Sequence, residues 1–171
     1  MRDSVLHLLQ LAYFMAPAYL ANMAPPFLRF WKGWNRPIHL RLLGSHKTVL
    51  GFVLGVVTGV AAAGLQAVLA LPHTLATYTG GAWLWLGLAL GIGAMSGDAL
   101  KSLFKRRLGI APGRPWPPLD QVDFVLGALA LAGPSAGLGM LDVLAILAFT
   151  FIGDVLANRL AFRLHLKDVP W

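Results

Sequence analysis

Apolar residues run in long blocks along this chain, and polar ones gather at the ends of the blocks or at a few positions inside them. A helix crossing the hydrocarbon of a bilayer needs about 20 predominantly apolar residues. Five stretches qualify, at roughly 4–28, 48–71, 82–104, 120–136 and 139–161. The second, Thr48 to Leu71, has Gln66 as its only strongly polar residue. Its Gly51, Gly55 and Gly59 recur every fourth residue and form a stripe that admits a close neighbouring helix. Gly133-Pro134 interrupts the fourth, which leaves a short helix or one part of a broken helix continued in the fifth. The first opens with Met1-Arg2-Asp3. Its length, the early Asp3 and the lack of a small-x-small cleavage site read as a span rather than a cleaved signal. The pattern predicts an all-α, polytopic helical membrane protein with about five transmembrane helices, a single domain over 1–171.

Composition agrees. The chain is 57% hydrophobic and 12% charged, with a mean hydropathy of +0.68. A soluble domain carries roughly a quarter charged residues, so this one has too few to cover a water-facing surface. All seven acids are Asp, and the absence of Glu excludes an H-E-x-x-H metalloprotease. The absence of Cys removes disulfides, thiolate nucleophiles and Cys-ligated zinc. A net charge of +7 in so apolar a chain points to membrane topology and anionic ligands rather than to nucleic acid.

Orientation follows from the bases. Arg29, Lys32, Arg36, Arg41 and Lys47 lie between spans one and two. Lys101, Lys105, Arg106, Arg107 and Arg114 lie at or after the end of span three, and Arg159, Arg163 and Lys167 close the chain. The opposite loops, 72–81 and 133–138, contain none. The positive-inside rule then sets the N-terminus outside, the C-terminus in the cytoplasm and the basic segments on the cytoplasmic face of the cell membrane. No internal repeat supports an inverted-repeat transporter.

Charges inside spans carry the chemical information, because hydrocarbon excludes them. Asp98 precedes the Lys105-Arg106-Arg107 cluster by about two turns. Lys101 and Lys105 fall on its helix face, with Ser102 alongside and Arg106 extending the stripe. A structural Asp98–Lys101 pair with a positive-inside anchor is one reading; a polar site is the other. Asp120 and Asp123 open span four one turn apart and face the same way. Such a pair suits a hard cation such as Mg2+, or an N-cap and helix-dipole role after Pro117-Pro118. Asp154 and Asn158, four apart in span five, either line the same cavity or bond to each other.

Lys47 stands at the start of span two, where an ammonium and a helix N-terminus can both face an anion. Lys47-Thr48 is not a P-loop, since Arg41 and His46 stand where glycines are required. Gly91, Gly93 and Gly97 miss the dinucleotide spacing and suit helix packing. Trp31, Trp34, Trp116 and Trp171 read as aromatic-belt residues, and His39 and His46 as interface residues. Acids and bases thus converge on one side. Bases match polyphosphate oxygens, carboxylates match the magnesium that accompanies them, and phosphoryl transfer needs no side-chain nucleophile.

Gly97-Asp98, Lys101-Ser102-Leu-Phe-Lys105-Arg106-Arg107-Leu-Gly109, Gly113, Asp120-Gln121-Val-Asp123 and Gly127 resemble the CDP-archaeol synthases, archaeal cytidylyltransferases. Asn35-Arg36-Pro37-Ile38 and Gly44-x-x-Lys47-Thr48-x-x-Gly51 are similar to the first cytoplasmic loop of that family. A looser likeness links Ser102 to Arg106 and Asp120 to Asp123 with the phosphatidate cytidylyltransferases. Their intervening Lys-Asp and His-Gly-Gly elements are missing, and Gln121 replaces an Arg.

The resemblance implies a membrane-embedded transferase that takes CTP and an isoprenoid ether lipid phosphate and yields CDP-archaeol and pyrophosphate. It implies Mg2+ on Asp98, Asp120 and Asp123. Lys47, Lys101, Lys105 and Arg106 would neutralise phosphates, Asn35 and Arg36 would meet cytosine, and Thr48 and Ser102 would adjoin the substrate. No nucleic-acid partner is implied, and a homodimer stays open. Three other readings compete, one of them a purely structural membrane subunit. A CDP-alcohol phosphotransferase lacks its D-G-x-x-A-R motif here, since Ala99 follows Asp98. A small transporter or channel with an Asp98–Lys101 relay finds only Asp142 near the outer side to continue a path.

Overall fold

The computed structural model describes residues 2–111 and 114–164; Gly113, Lys167 and Trp171, and the side chains of Arg2 and Asp3, lie outside the described residues. The chain runs α1 (Arg2–Met23), a 3₁₀ helix (Pro25–Phe30), α2 (Leu40–Leu43), α3 (Val49–Leu69), α4 (Ala82–Arg107), α5 (Leu119–Ala136) and α6 (Met140–Arg163). No strand forms among the described residues beyond an isolated bridge between Pro37 and Thr48. The five long helices fall on the five apolar stretches. Four of them, at Ser4–Phe30, Val49–Leu69, Ala82–Arg107 and Met140–Arg163, are long and apolar enough to cross a membrane. α5 has 18 residues and carries Asp120 and Asp123 in its opening turns.

Two expectations about α5 resolve here. Pro134 does not break the helix, which continues to Ala136 and stops at Gly137 in the left-handed region, φ 62°. Pro134 costs the helix one bond, that to Ala130 O, and Ser135 Oγ donates to Ala132 O at 2.7 Å. α5 and α6 are therefore separate helices. Asp120 is not the N-cap: the helix starts at Leu119 after Pro118, and Asp120 sits inside its first turn.

α4 is the centre of the bundle, packed on α3, α5 and α1. Lipid tails are as apolar as leucine, so helices in a membrane associate through close packing rather than through hydrophobic burial. The glycines permit it on two faces of α4. A Cβ on Gly59 of α3 would stand 3.0 Å from Gly91 Cα. One on Gly93 would stand 2.5 Å from Gly127 O of α5. Gly97 abuts Asp123 O and Gly127 in the same way. Outside these contacts, Leu11, Phe14, Met15, Leu90, Val125 and Ile146 fill the core, while Val57, Val68, Trp85 and Leu141 point outward.

α6 is held more loosely, through α5 and two side-chain contacts to α1. Tyr19 Oη meets Thr150 Oγ1 at 2.6 Å, and His7 Nε2 meets Asp142 Oδ1 at 2.7 Å. Between α1 and α3 the chain folds back on itself. Ile38 N donates to Lys47 O at 2.8 Å, and Val49 N donates to Arg36 O at 2.9 Å. This fold-back delivers Lys47 and Thr48 to the start of α3, where Thr48 caps the helix by accepting from Gly51 N at 3.1 Å.

Candidate active site

The close approach of α4 and α5 brings their charged residues together at one end of the bundle. Lys101 of α4 stands among three carboxylates. Its Nζ lies 3.3 Å from Asp98 Oδ1, 3.4 Å from Asp120 Oδ1 and 2.6 Å from Asp123 Oδ2. Lys47, two residues before α3, pairs with Asp98 Oδ2. Lys105 holds Asp120 through both oxygens, at 3.0 and 3.1 Å. Three lysines and three aspartates thus form one chain of ion pairs across α4, α5 and the segment leading into α3. Their formal charges cancel, and such pairing is what lets charge lie inside a membrane bundle.

Lys47 and Asp98 also form one wall of a 580 Å³ cavity lined by Asn22, Arg29, Asn35, His46 and Thr48. Ligand sites commonly occupy about 300–1,000 Å³. Asn35, one of its lining residues, has a buried Oδ1 with no hydrogen-bond partner, an acceptor without the donor that burial ordinarily requires. Two apolar grooves approach the cluster. One, of 370 Å³, runs between α4 and α5 and is lined by Leu100, Phe104, Leu126, Lys101 and Asp123. The other, of 500 Å³, lies against α1 and α6 and is lined by Tyr19, Phe124, Phe149, Thr150 and Asp154. Asn22 belongs to both this groove and the polar cavity.

Asn35, Lys47, Thr48 and Asp98 meet at the cavity, and Lys101, Asp120 and Asp123 adjoin it through Asp98. Four residues are engaged otherwise. Ser102 is buried and bonds back to Asp98 O at 3.0 Å. Arg106 donates to Ile110 O at 2.7 Å. Lys105 is buried, and besides Asp120 it donates to Arg114 O at 2.6 Å, while Asp120 Oδ2 accepts from Trp116 N at 2.5 Å. Lys105 and Asp120 therefore fasten the chain after α4 to the start of α5. The Arg36 side chain is exposed beside the cavity, its carbonyl held by Val49. Asp154 and Asn158 bond to each other at 2.8 Å, with Asp154 in the α1–α6 groove rather than in the polar cavity.

The sequence did not single out Asn22, Arg29, Ser45 and His46 as cavity residues. Asn22, a lone amide near the end of an apolar helix, carried a readable signal; Ser45 and His46 depend on the fold-back.

Asp98, Asp120 and Asp123 make an all-oxygen donor set of the kind a hard cation takes. The buried Oδ2 of Asp123 has no directed hydrogen bond, only the Lys101 ammonium beside it. Among the described residues no three acidic or histidine side chains close on a common point; the ammonium stands between them. The oxygen donors are of the type Mg2+ takes, and the Lys101 ammonium is the cation they share in this structure.

A family model described as CarS-like CDP-archaeol synthase matches residues 4–171. The chain is 37% identical to a CDP-archaeol synthase of Methanopyrus kandleri, over 93% of this chain and 91% of that one. It is 36% identical to one from Aeropyrum pernix, over 96% and 93%. A relative in Thermofilum pendens is 40% identical over 91% of this chain and 77% of its own length. A solved structure described as an intramembrane enzyme for archaeal membrane lipids biosynthesis superposes with a TM-score of 0.71 at 32% identity, covering 85% of this chain and 90% of that one. With sequence and fold in agreement, the chain belongs to the CDP-archaeol synthase family.

Proposed function

We propose that the lysine–aspartate cluster and the cavity beside it transfer CMP from CTP to an unsaturated archaetidic acid, 2,3-bis-O-geranylgeranyl-sn-glycerol 1-phosphate. The family membership makes the protein a CTP-using membrane cytidylyltransferase that forms CDP-archaeol. The observation carrying the site assignment is the Lys101 ammonium shared by Asp98, Asp120 and Asp123 where α4 and α5 meet a polar cavity.

An oxygen of the lipid phosphate attacks the α-phosphorus of CTP in line. The new P–O bond forms as the bond to the α–β bridging oxygen breaks, and pyrophosphate leaves with that electron pair. The nucleophile is already an anion, so the protein need only position the reactants and neutralise charge. Lys47 faces the cavity and offers an ammonium to the triphosphate, and Lys101 neutralises charge where the reacting phosphates meet. Asp98, Asp120 and Asp123 are the residues that would hold Mg2+, whose chemistry is neutralisation of the triphosphate. The unpartnered Asn35 Oδ1 suits the exocyclic amino group of cytosine, a donor that uracil lacks. Arg36 stands next to it at the cavity rim. The isoprenoid chains stay in lipid and the apolar grooves, so only the headgroup reaches the polar site. The N-terminus lies outside, five helices cross the membrane, and the active site faces the cytoplasm.

The test is pyrophosphate release by detergent-purified protein given CTP, Mg2+ and the geranylgeranyl ether lipid phosphate, with ATP, an ester phosphatidate and EDTA as parallel arms. Release is expected only when CTP, ether lipid and metal are all present. Asp123→Asn is expected to abolish turnover and leave the protein folded; near-normal activity in that variant removes Asp123 from the metal set.

A further inference from the structure

The stretch between α1 and α3 combines charge and exposed apolar surface in a way the transfer reaction does not use. Its aromatic side chains Phe27, Phe30, Trp31 and Trp34 are 57–69% exposed. Exposed Arg29, Lys32, Arg36 and Arg41 alternate with them. The chain has no acid between Asp3 and Asp98, and among the described residues no carboxylate pairs with any of these four. The Arg29 guanidinium lies over the Phe30 ring, 4.6 Å from its centroid, which directs the cation along the aromatic surface.

Position sets the depth of this patch. It starts where α1 ends at Met23 and finishes where α3 begins at Val49, so both flanks are ends of apolar spans. Rings and unpaired cations at that level match a layer that is half hydrocarbon and half phosphate. Arg and aromatic side chains are common at protein interfaces as well, so it is the flanking spans, which set the patch at the membrane surface, that favour lipid. The inner side of the same stretch is a wall of the polar cavity, through Pro25, Leu28, Arg29 and Asn35.

We propose that residues 27–41 form an interfacial platform that binds the phosphate headgroups of anionic lipids in the surrounding leaflet, outside the reaction centre. The rings seat it at the acyl boundary, and Lys32 and Arg41, the two of these cations that stand away from the cavity and its rim, take the phosphates. Its consequence for the reaction is a local excess of anionic lipid at the rim from which the lipid phosphate enters.

The test uses the full chain reconstituted in phosphatidylcholine vesicles containing brominated phosphatidylglycerol or, separately, brominated phosphatidylcholine. The readout is the part of the tryptophan quenching that Trp31→Phe/Trp34→Phe removes. Stronger quenching by the phosphatidylglycerol is expected. Each cation near an anionic surface is worth about a fivefold gain in affinity. The double variant Lys32→Gln/Arg41→Gln is therefore expected to lower the preference by roughly tenfold or more, with the KM for CTP unchanged. Equal quenching by the two lipids in the unaltered protein overturns the proposal, as does a preference that survives the double variant. Displacement of the preference by CTP also overturns it, because the cations would then serve the nucleotide. An unchanged KM for CTP guards against misreading an unfolded variant.

Discussion

Gly93→Ala is a one-methyl change in the packing that assembles the site, and its consequences follow from distances. The added Cβ would lie 2.5 Å from Gly127 O, 2.7 Å from Ala128 Cα and 2.9 Å from Ala128 N. These are backbone atoms of α5, which have no rotamer to move. Ordinary contact begins near 3.4 Å, so α4 and α5 must separate locally by about 0.9 Å. Overpacking of this kind costs about 1–3 kcal/mol. Asp98 and Lys101 lie five and eight residues further along the same helix, and the contacts from Lys101 to Asp123 and Asp120 span only 2.6 and 3.4 Å. A displacement near 1 Å at reacting groups can cost about 10²-fold in rate. The measurements are the Tm in detergent and kcat for pyrophosphate release. Gly133→Ala in α5 is the matched control, since a Cβ there meets nothing within 4 Å. Gly93→Ala is expected to lower both quantities and Gly133→Ala neither. A Gly93→Ala protein with unaltered Tm and kcat would refute the packing argument, as would equal damage in the control.

Other outcomes follow from the same geometry. Lys101→Met leaves three carboxylates without their shared cation, so Mg2+ should raise its Tm by more than it raises that of the unaltered protein; saturation at about 100 times Kd is worth about 2.7 kcal/mol. Equal Mg2+ responses would count against the carboxylates as a metal site. Lys105→Met removes one of two lysines beside Asp120, which keeps Lys101 and Trp116 N, and should cost about 1–3 kcal/mol of stability, while KM for CTP in the folded protein changes little; a large rise in KM would place Lys105 on the nucleotide. Tyr19→Phe and Thr150→Val remove the two sides of one hydrogen bond between α1 and α6, so a double-mutant cycle should return a coupling of about 1 kcal/mol, and additivity would remove the bond. Because the chain has no cysteine, Ser4→Cys and Ser45→Cys each introduce one label site; a membrane-impermeant thiol reagent should reach them from opposite sides, and same-side labelling would overturn the five-span topology.

The helices were legible because apolar blocks of membrane length leave little ambiguity, and the Asp98–Lys101 relation was legible because both residues sit on one helix at fixed angles. The pairing of Lys47 with Asp98 was not: it joins residues 51 positions apart through the fold-back at 36–49, and no local periodicity records it. Asp120 and Asp123 were visible as a pair, but their meeting with Lys101 depends on the contacts of Gly93 and Gly97 with α5, where sequence supplies only the permission to approach. Pro134 left a short helix and a broken one both open, since what a proline disrupts depends on how much helix remains after it, and here the helix ends two residues later. Lys105 and Arg106 read as phosphate ligands because position and charge were visible. Their carbonyl acceptors Arg114 and Ile110 belong to the turn that follows α4, whose course the pattern does not fix.

The distribution of charge between α4 and α5 bears on how the protein is built into its membrane. α4 carries its own compensation, since Lys101 lies one turn from Asp98 and can quench it as the helix leaves the translocation machinery. α5 brings two aspartates and, as a segment by itself, is not among the helices apolar enough to span. Its counter-charges sit on α4, which is synthesised first. In the five-span arrangement proposed above, the earlier helix α4 supplies the ions that make α5 soluble in lipid. A lesion at Lys101 or Lys105 would then show first as a shortfall of correctly inserted protein, before any enzyme could be assayed.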